Sequence, residues 1–300
     1  MVSQALAPHI EALLRRAGPD GAFAVAEGSA PRPDATAWAA MALFAAGVAG
    51  EKVTAARTAL AAAQLADGRV PVLPGRPEAA WPTTLALLAW LPDSAFAAPA
   101  ARAAAWLAAH PGSHWVRRAE ETAVVAHDTN LRGWAWIDGT HSWVEPTSLA
   151  MLALSAMAAP PREALDEAVR LLLDRQLPDG GWNYGNTRVF RNTLLPVPES
   201  TGHALAALGG RVGPTAVAAS LHYLAGPQCA VPTPLAAAWR AFGLGAYGLA
   251  TPAVTAGCLL ALGRQDRYGP YDTPLLAQAI AAVAASGRFA ALLGDRHDQP

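Results

Sequence analysis

The 300-residue chain is 53% hydrophobic and 15% charged, and its 22 basic residues face 23 acidic ones for a formal net charge of -1. A chain this apolar and this weakly charged buries a core, which excludes intrinsic disorder. Balanced charge, a single lysine at Lys52 and the lack of any Lys/Arg run exclude nucleic acid as a main partner.

Apolar residues recur with helical spacing near 3–17, 34–47, 52–65, 82–91, 97–109, 146–158, 161–177, 200–209, 213–226, 233–246, 252–263 and 273–286. The spacing predicts twelve helices and no strand, because no run alternates β-branched and polar residues. The first residues, Met1-Val2-Ser3-Gln4-Ala5-Leu6, lead into Glu11 and Arg15 without a basic start or a cleavage site. A cytoplasmic location is therefore expected, with peripheral membrane contact left open. The uncharged stretch from Ala241 to Gly263 contains Pro252 and five glycines, so it is expected to form a buried helix pair and not a membrane span. Cys229 and Cys258 have no CxxC companion, which predicts neither a disulfide framework nor a structural zinc site.

One pattern recurs along the chain: an acidic or Pro-containing turn, a threonine, then an Ala/Leu-rich run. It reads Asp34-Ala35-Thr36-Ala37-Trp38, Trp81-Pro82-Thr83-Thr84-Leu85, Glu145-Pro146-Thr147-Ser148-Leu149 and Glu199-Ser200-Thr201-Gly202-His203. A second element, an Asp-Gly turn, precedes it at Asp20-Gly21, Asp67-Gly68 and Asp179-Gly180. Gly accepts the positive φ that ends a helix, and Thr followed by Pro suits an N-cap and first helical position, as at Thr233-Pro234, Thr251-Pro252 and Thr273-Pro274. The threonine-led segments are apolar all round, whereas 52–65 and 161–177 carry charge on one face, through residues such as Lys52, Arg57, Glu163 and Arg170. Helices apolar all round must be buried and amphipathic ones lie outside. The expected fold is all-α, a single (α/α)6 toroid over residues 1–300, with an inner ring wrapped by an outer one.

This repeat resembles that of the terpenoid cyclases and protein prenyltransferases. Gln176-Leu177-Pro178-Asp179-Gly180-Gly181-Trp182 is similar to the QW motif of squalene and oxidosqualene cyclases, and Gln64-Leu65-Ala66-Asp67-Gly68 to a copy that lacks the tryptophan. The resemblance implies an α/α toroid that acts on an isoprenoid or other apolar lipid. It also implies a reaction begun by the central Asp of a DxDD motif, which protonates an alkene or epoxide. No DxDD occurs in this sequence. Counting back two residues from the threonines nevertheless puts Asp34, Glu145 and Glu199 in the register of that Asp, with Asp272 directly before Thr273. No DDxxD-like cluster and no Asp-x-Cys element occurs, so neither metal nor other cofactor is expected.

Glu145 has notable company, because Trp134, Trp136, Asp138, His141 and Trp143 precede it in a stretch without helical periodicity. Functional residues concentrate on such loops, and indole faces stabilise cations. Trp134, Trp136, Trp143, Trp182, Trp38 and Tyr184 are candidate cavity walls, with a plug of the barrel mouth as the alternative. His203, four residues after Glu199, shares its helix face and could exchange a proton with it, or be a satisfied core histidine. Arg188 and Arg191 could grip an anion or belong to a solvated loop. Acids at a helix start also interact favourably with the dipole, whatever else they do. Three functions fit: a cyclase-like enzyme with Glu145, Asp34 or Glu199 as acid; a carbohydrate-active (α/α)6 enzyme pairing Glu145 with Asp128, Asp138 or Glu199; and a non-catalytic toroid that binds a lipid or a partner.

Overall fold

Proline in the first turn and long apolar runs set the helices of the computed structural model, which describes residues 2–114, 125–229 and 233–294. They are α1 (Val2–Leu14), α2 (Pro33–Ala45), α3 (Gly50–Ala63), α4 (Pro82–Trp90), α5 (Ala97–Ala109), α6 (Val144–Ser155) and α7 (Arg162–Asp174) in the first half. The second half holds α8 (Pro198–Leu208), α9 (Ala218–Ala225), α10 (Pro234–Gly245), α11 (Pro252–Gly263), α12 (Gln265–Tyr268) and α13 (Thr273–Ala284). All twelve expected helices form, and the one-turn α12 is an addition.

The inner ring closes on itself: α2 packs on α4, α4 on α6, α6 on α8, α8 on α10, α10 on α13, and α13 back on α2. Outside it, α3 lies against α2 and α4, α5 against α4, α7 against α6, α9 against α8 and α10, α11 against α10 and α13, and α1 against α13. This is an (α/α)6 toroid, with α3 and α7 outside as their charged faces predict. The threonine-led, uncharged α11 departs from the expectation, because it also lies outside and buries Val254, Cys258, Ala261 and Leu262 while Leu260 is exposed, so only the α10 half of the expected buried pair is buried. Every residue of α4 is buried, whereas α7 buries Leu165, Ala168, Leu171 and Leu172 along one stripe.

Aromatic rings fill the axis of the toroid. Trp38 of α2 meets Trp239 of α10 edge-on at 6.2 Å, and Trp239 packs on Phe242 at 5.4 Å and on Phe289 at 5.7 Å. Trp239 and Phe242 are fully buried.

A threonine hydroxyl fastens each of four inner helices to the loop that leads into it. Thr36 accepts from the Phe23 N–H at 2.9 Å, Thr83 from Val70 at 2.8 Å, Thr147 from Trp134 at 2.9 Å and Thr201 from Trp182 at 2.9 Å. Three of the same hydroxyls donate to a carbonyl three or four residues back, at Arg32, Ala80 and Val197. N-capping falls to the Thr-Pro pairs as expected at Thr233 and Thr251, while at the third pair Asp272 takes the place of Thr273. Thr233, Thr251 and Asp272 cap their helices by accepting from Ala236, Val254 and Leu275, while the repeat threonines lie inside the first turn and secure the neighbouring loop. The Asp-Gly turns complete the device. Gly21, Gly68 and Gly180 have φ of 84°, 99° and 91°, and a Cβ there would lie 2.4–2.7 Å from backbone atoms of Ala55, Arg102 and Ala219 on the next outer helix.

Two further departures from the sequence expectation are local. The segment expected as a helix over 213–226 opens as a 3-10 turn at Pro214–Val217 before α9 begins at Ala218. Residues 188–193, expected as a loop, form the antiparallel hairpin β1 (Arg188–Val189) and β2 (Asn192–Thr193). Its turn residues Phe190 and Arg191 have φ of 47° and 66°, a primed-turn geometry that Asn-Gly would signal and Phe-Arg conceals. Among the described residues, no helix is long and apolar enough to cross a membrane.

Thr201→Val keeps the shape and removes the acceptor of the buried Trp182 N–H, so it should cost about 1–3 kcal/mol of unfolding free energy. Thr201→Ser should restore most of that loss. Urea denaturation of the three proteins measures both, and a Val variant as stable as the parent would show that the tie is dispensable.

Candidate functional site

Inner and outer helices alternate along the chain, so the six inner N-termini gather at one end of the toroid, together with the longer loops. Glu145 sits in the first turn of α6 and Glu199 in the first turn of the adjacent α8. The His203 Nδ1–H, one turn further along α8, donates to the Glu199 carbonyl at 2.8 Å. A carbonyl only accepts, so the proton of the neutral ring is on Nδ1 and Nε2 is an acceptor. Nε2 is buried without a hydrogen-bond partner among the described residues, and it faces Glu145 Oε1 at 3.6 Å. Trp239 stacks against the imidazole with ring centroids 3.4 Å apart.

Burial sets the charge state of both groups. It pushes His203, which is 1% exposed, down to about 3, so the imidazole is neutral. It pushes Glu145 up to about 7, with repulsion from the Glu199 carboxylate as a second cause. The cluster thus sets a carboxyl that keeps its proton up to about pH 7 against a neutral imidazole whose lone pair is turned to it. The expected pairing of His203 with the Glu199 side chain is replaced by one with Glu145. The i−4 backbone carbonyl takes the near ring nitrogen and leaves the far one to the next helix.

Asp34 occupies the same register on α2 and has a different environment. Its carboxylate is 1% exposed and takes both Arg32 Nε, at 2.8 Å, and Arg32 Nη2, a bidentate pair that employs both oxygens. Asp272 caps α13. The register therefore holds an ion-paired acid, a capping acid and, on α6 and α8, the two acids of the Glu145 cluster.

The aromatic candidates separate into groups. Trp134 and Trp136 line a narrow slot of about 20 Å³ between α4 and α6, together with Trp81, Trp106 and Asp138. Trp136 meets Trp81 edge-on at 5.6 Å, and Trp106 is sandwiched between His110, at 4.5 Å, and the Arg69 guanidinium, at 5.4 Å. Trp143 packs on His141 at 4.5 Å, and both line a second cavity of about 180 Å³ with His114. His114 Nε2 accepts from the Ser142 N–H at 3.0 Å, and burial followed by the Arg175 charge pushes the ring down to about 4.

The remaining candidates lie apart from these cavities. Trp182 is fully buried with its indole N–H on the Leu172 carbonyl at 2.6 Å, and Trp38 belongs to the axial column. Tyr184, Arg188 and Arg191 are exposed on the segment after Trp182. Trp81, Trp106 and Trp239 escaped the sequence reading. Trp81 precedes Pro82 in the repeated turn, which was a usable signal, whereas Trp106 and Trp239 lie within helices whose pattern marks them only as core. Among the described residues, no three His, Cys, Asp or Glu side chains are placed to hold a metal ion.

Solved structures share this fold. The type II terpene cyclase MstE from Scytonema, in complex with geranylgeranyl dihydroxybenzoate, superposes with a TM-score of 0.63 at 15% identity over 95% of this chain and 98% of its own. An inactive variant of the α-1,6-mannanase of Salegentibacter, in complex with α-1,6-mannotriose, gives 0.63 at 10% identity over 96% and 99%. The ent-copalyl diphosphate synthase of Streptomyces platensis gives 0.53 at 21% identity over 87% of this chain and 50% of its own. The chain thus shares the α/α toroid fold of both the terpene cyclases and the mannanase. No protein-family model and no curated protein matches the sequence.

The two buried groups pull stability in opposite directions with pH. Glu145 titrates at about 7 in the fold against 4.5 for the ordinary group, so its contribution is full below 4.5 and lost as pH rises through 7. His203 titrates at about 3 against 6.5, so its contribution is full above 6.5 and lost as pH falls towards 3. Glu145→Gln should therefore gain in stability relative to the parent as pH rises from 4.5 to 7, which urea titrations at several pH values would detect.

Proposed function

We propose that the N-terminal end of the inner ring is an acid-catalysis site for an isoprenoid or related apolar small molecule, with Glu145 as the proton donor. The observation that carries this reading is a half-buried carboxyl raised to about 7 with no cationic partner among the described residues, opposite a neutral imidazole lone pair. Most buried acids are neutralised by a cation, as Asp34 is by Arg32, and an acid poised near neutral pH suits general-acid catalysis. The likeness in fold to a terpene cyclase supports an apolar substrate, and the indole of Trp239 stacked on His203 is an aromatic face beside the acid.

The pKa of Glu145 also narrows the chemistry. An acid near 7 is weak, so it fits protonation of an oxygen that leaves or opens, such as an epoxide, better than protonation of an unactivated alkene. In that step the Glu145 O–H proton passes to the substrate oxygen as its C–O bond breaks, and the cation formed loses a proton to return the acid to its starting state. Glu199 keeps the donor protonated by repulsion, and His203 orients it.

A second reading rests on the pairing of Glu145 with Glu199. Two neighbouring carboxyl groups, one with its pKa raised, are also what glycoside cleavage uses, and the mannanase fold is as similar as the cyclase fold. A panel of linear isoprenoids with and without a terminal epoxide, run beside α-linked oligosaccharides, separates the two by product analysis.

Glu145→Gln should lower turnover by about two to four orders of magnitude while leaving substrate affinity within a fewfold of the parent. Activity of the parent should decline as pH rises above about 7, where Glu145 loses its proton. A Gln variant with full turnover would remove Glu145 from the chemistry, and binding without turnover by the parent would identify a binding module.

A further inference from the structure

The opposite end of the toroid holds a cavity of about 520 Å³, lined by the C-terminal turns of α6, α8 and α10 and by the 3-10 segment Phe289–Leu293. That volume lies within the roughly 300–1,000 Å³ of small-molecule sites. The floor is apolar, from Leu152, Ala206, Phe289 and Leu293. Phe289 packs on Trp239 and Phe242 of the axial column, so ring packing separates this cavity from the Glu145 end.

Two arginines, Arg211 and Arg288, stand on the exposed part of the wall above this floor. Arg211 is held by a neutral group, since its Nη2 donates to Ser155 Oγ at 2.6 Å. Among the described residues no carboxylate pairs with Arg211. An apolar cavity with guanidinium groups at one edge recognises a molecule with an apolar body and an anionic head. The helix ends refine the head. Three inner helices bring the negative ends of their dipoles to this mouth, which repels a doubly charged phosphate more than a singly charged carboxylate.

We propose that this cavity is a second binding site, which takes a free amphiphile with an apolar chain and a single carboxylate. The apolar chain lies on Leu152, Ala206, Phe289 and Leu293, and the carboxylate meets Arg211. The site is independent of the reading of Glu145, because it stands on other helix ends and other residues.

Isothermal titration calorimetry with dodecanoate below its micelle concentration tests it. The parent should bind one equivalent saturably, and Arg211→Gln should weaken that binding about tenfold or more, the effect of losing a charged hydrogen-bonding partner. Dodecanol should bind weakly for the same reason. Ala290→Trp, which fills the cavity from a half-buried position, should abolish binding by an independent route. Glu145→Gln should leave the affinity unchanged. The proposal is overturned if the parent shows no saturable binding, if both cavity variants bind like the parent, or if Glu145→Gln loses the ligand. It is likewise overturned if the protein sediments with phosphatidylglycerol vesicles yet ignores monomeric dodecanoate, since the face would then serve a bilayer.

Discussion

The hydrogen bond from a loop N–H to a buried threonine hydroxyl is the constraint on which the toroid depends. A barrel of helices has no sheet ladder to hold its layers in register, and apolar contact alone permits inner and outer helices to slide. The hydroxyl settles the matter because it fills two roles at once: it takes the N–H of the incoming loop and gives its own hydrogen to the helix behind it. Both groups are buried, so neither bond can be exchanged for water without cost. The same loop residue carries a second anchor in two units, where the Trp134 and Trp182 indole N–H groups donate to Leu107 and Leu172 at the ends of outer helices.

This construction leaves the helix ends free and the axis full. Alanine lets the inner helices approach one another, and the remaining central space is taken by Trp38, Trp239, Phe242 and Phe289. Chemistry and binding are thereby displaced to the two mouths, which differ in charge character. The upper mouth gathers helix N-termini, which favour the carboxylates found there. The lower mouth gathers C-termini, where the lining contributes arginine instead.

Within the upper mouth, equivalent positions have diverged by the company they keep. Asp34 and Glu145 start their helices in the same way, yet one is ionised against a guanidinium supplied two residues earlier and the other is held in its acid form by burial and a second carboxylate. The difference lies in the partners delivered by loop and neighbouring helix, so a shared register carries no shared function.

The sequence by itself determined the helices, their order and, α11 apart, their division into inner and outer rings. These follow from local apolar periodicity, Asp-Gly turns and Pro at helix starts, and such signals act within a few residues. Only the tertiary structure decided what the repeat threonines do, that His203 faces Glu145 and not the Glu199 carboxyl, and that Trp182 and Trp38 pack inside while Trp81 and Trp106 join Trp134 and Trp136. Each of these is a contact between different helices or hairpins. Its existence depends on how far the ring has turned between one hairpin and the next, and no local pattern in the chain encodes that angle.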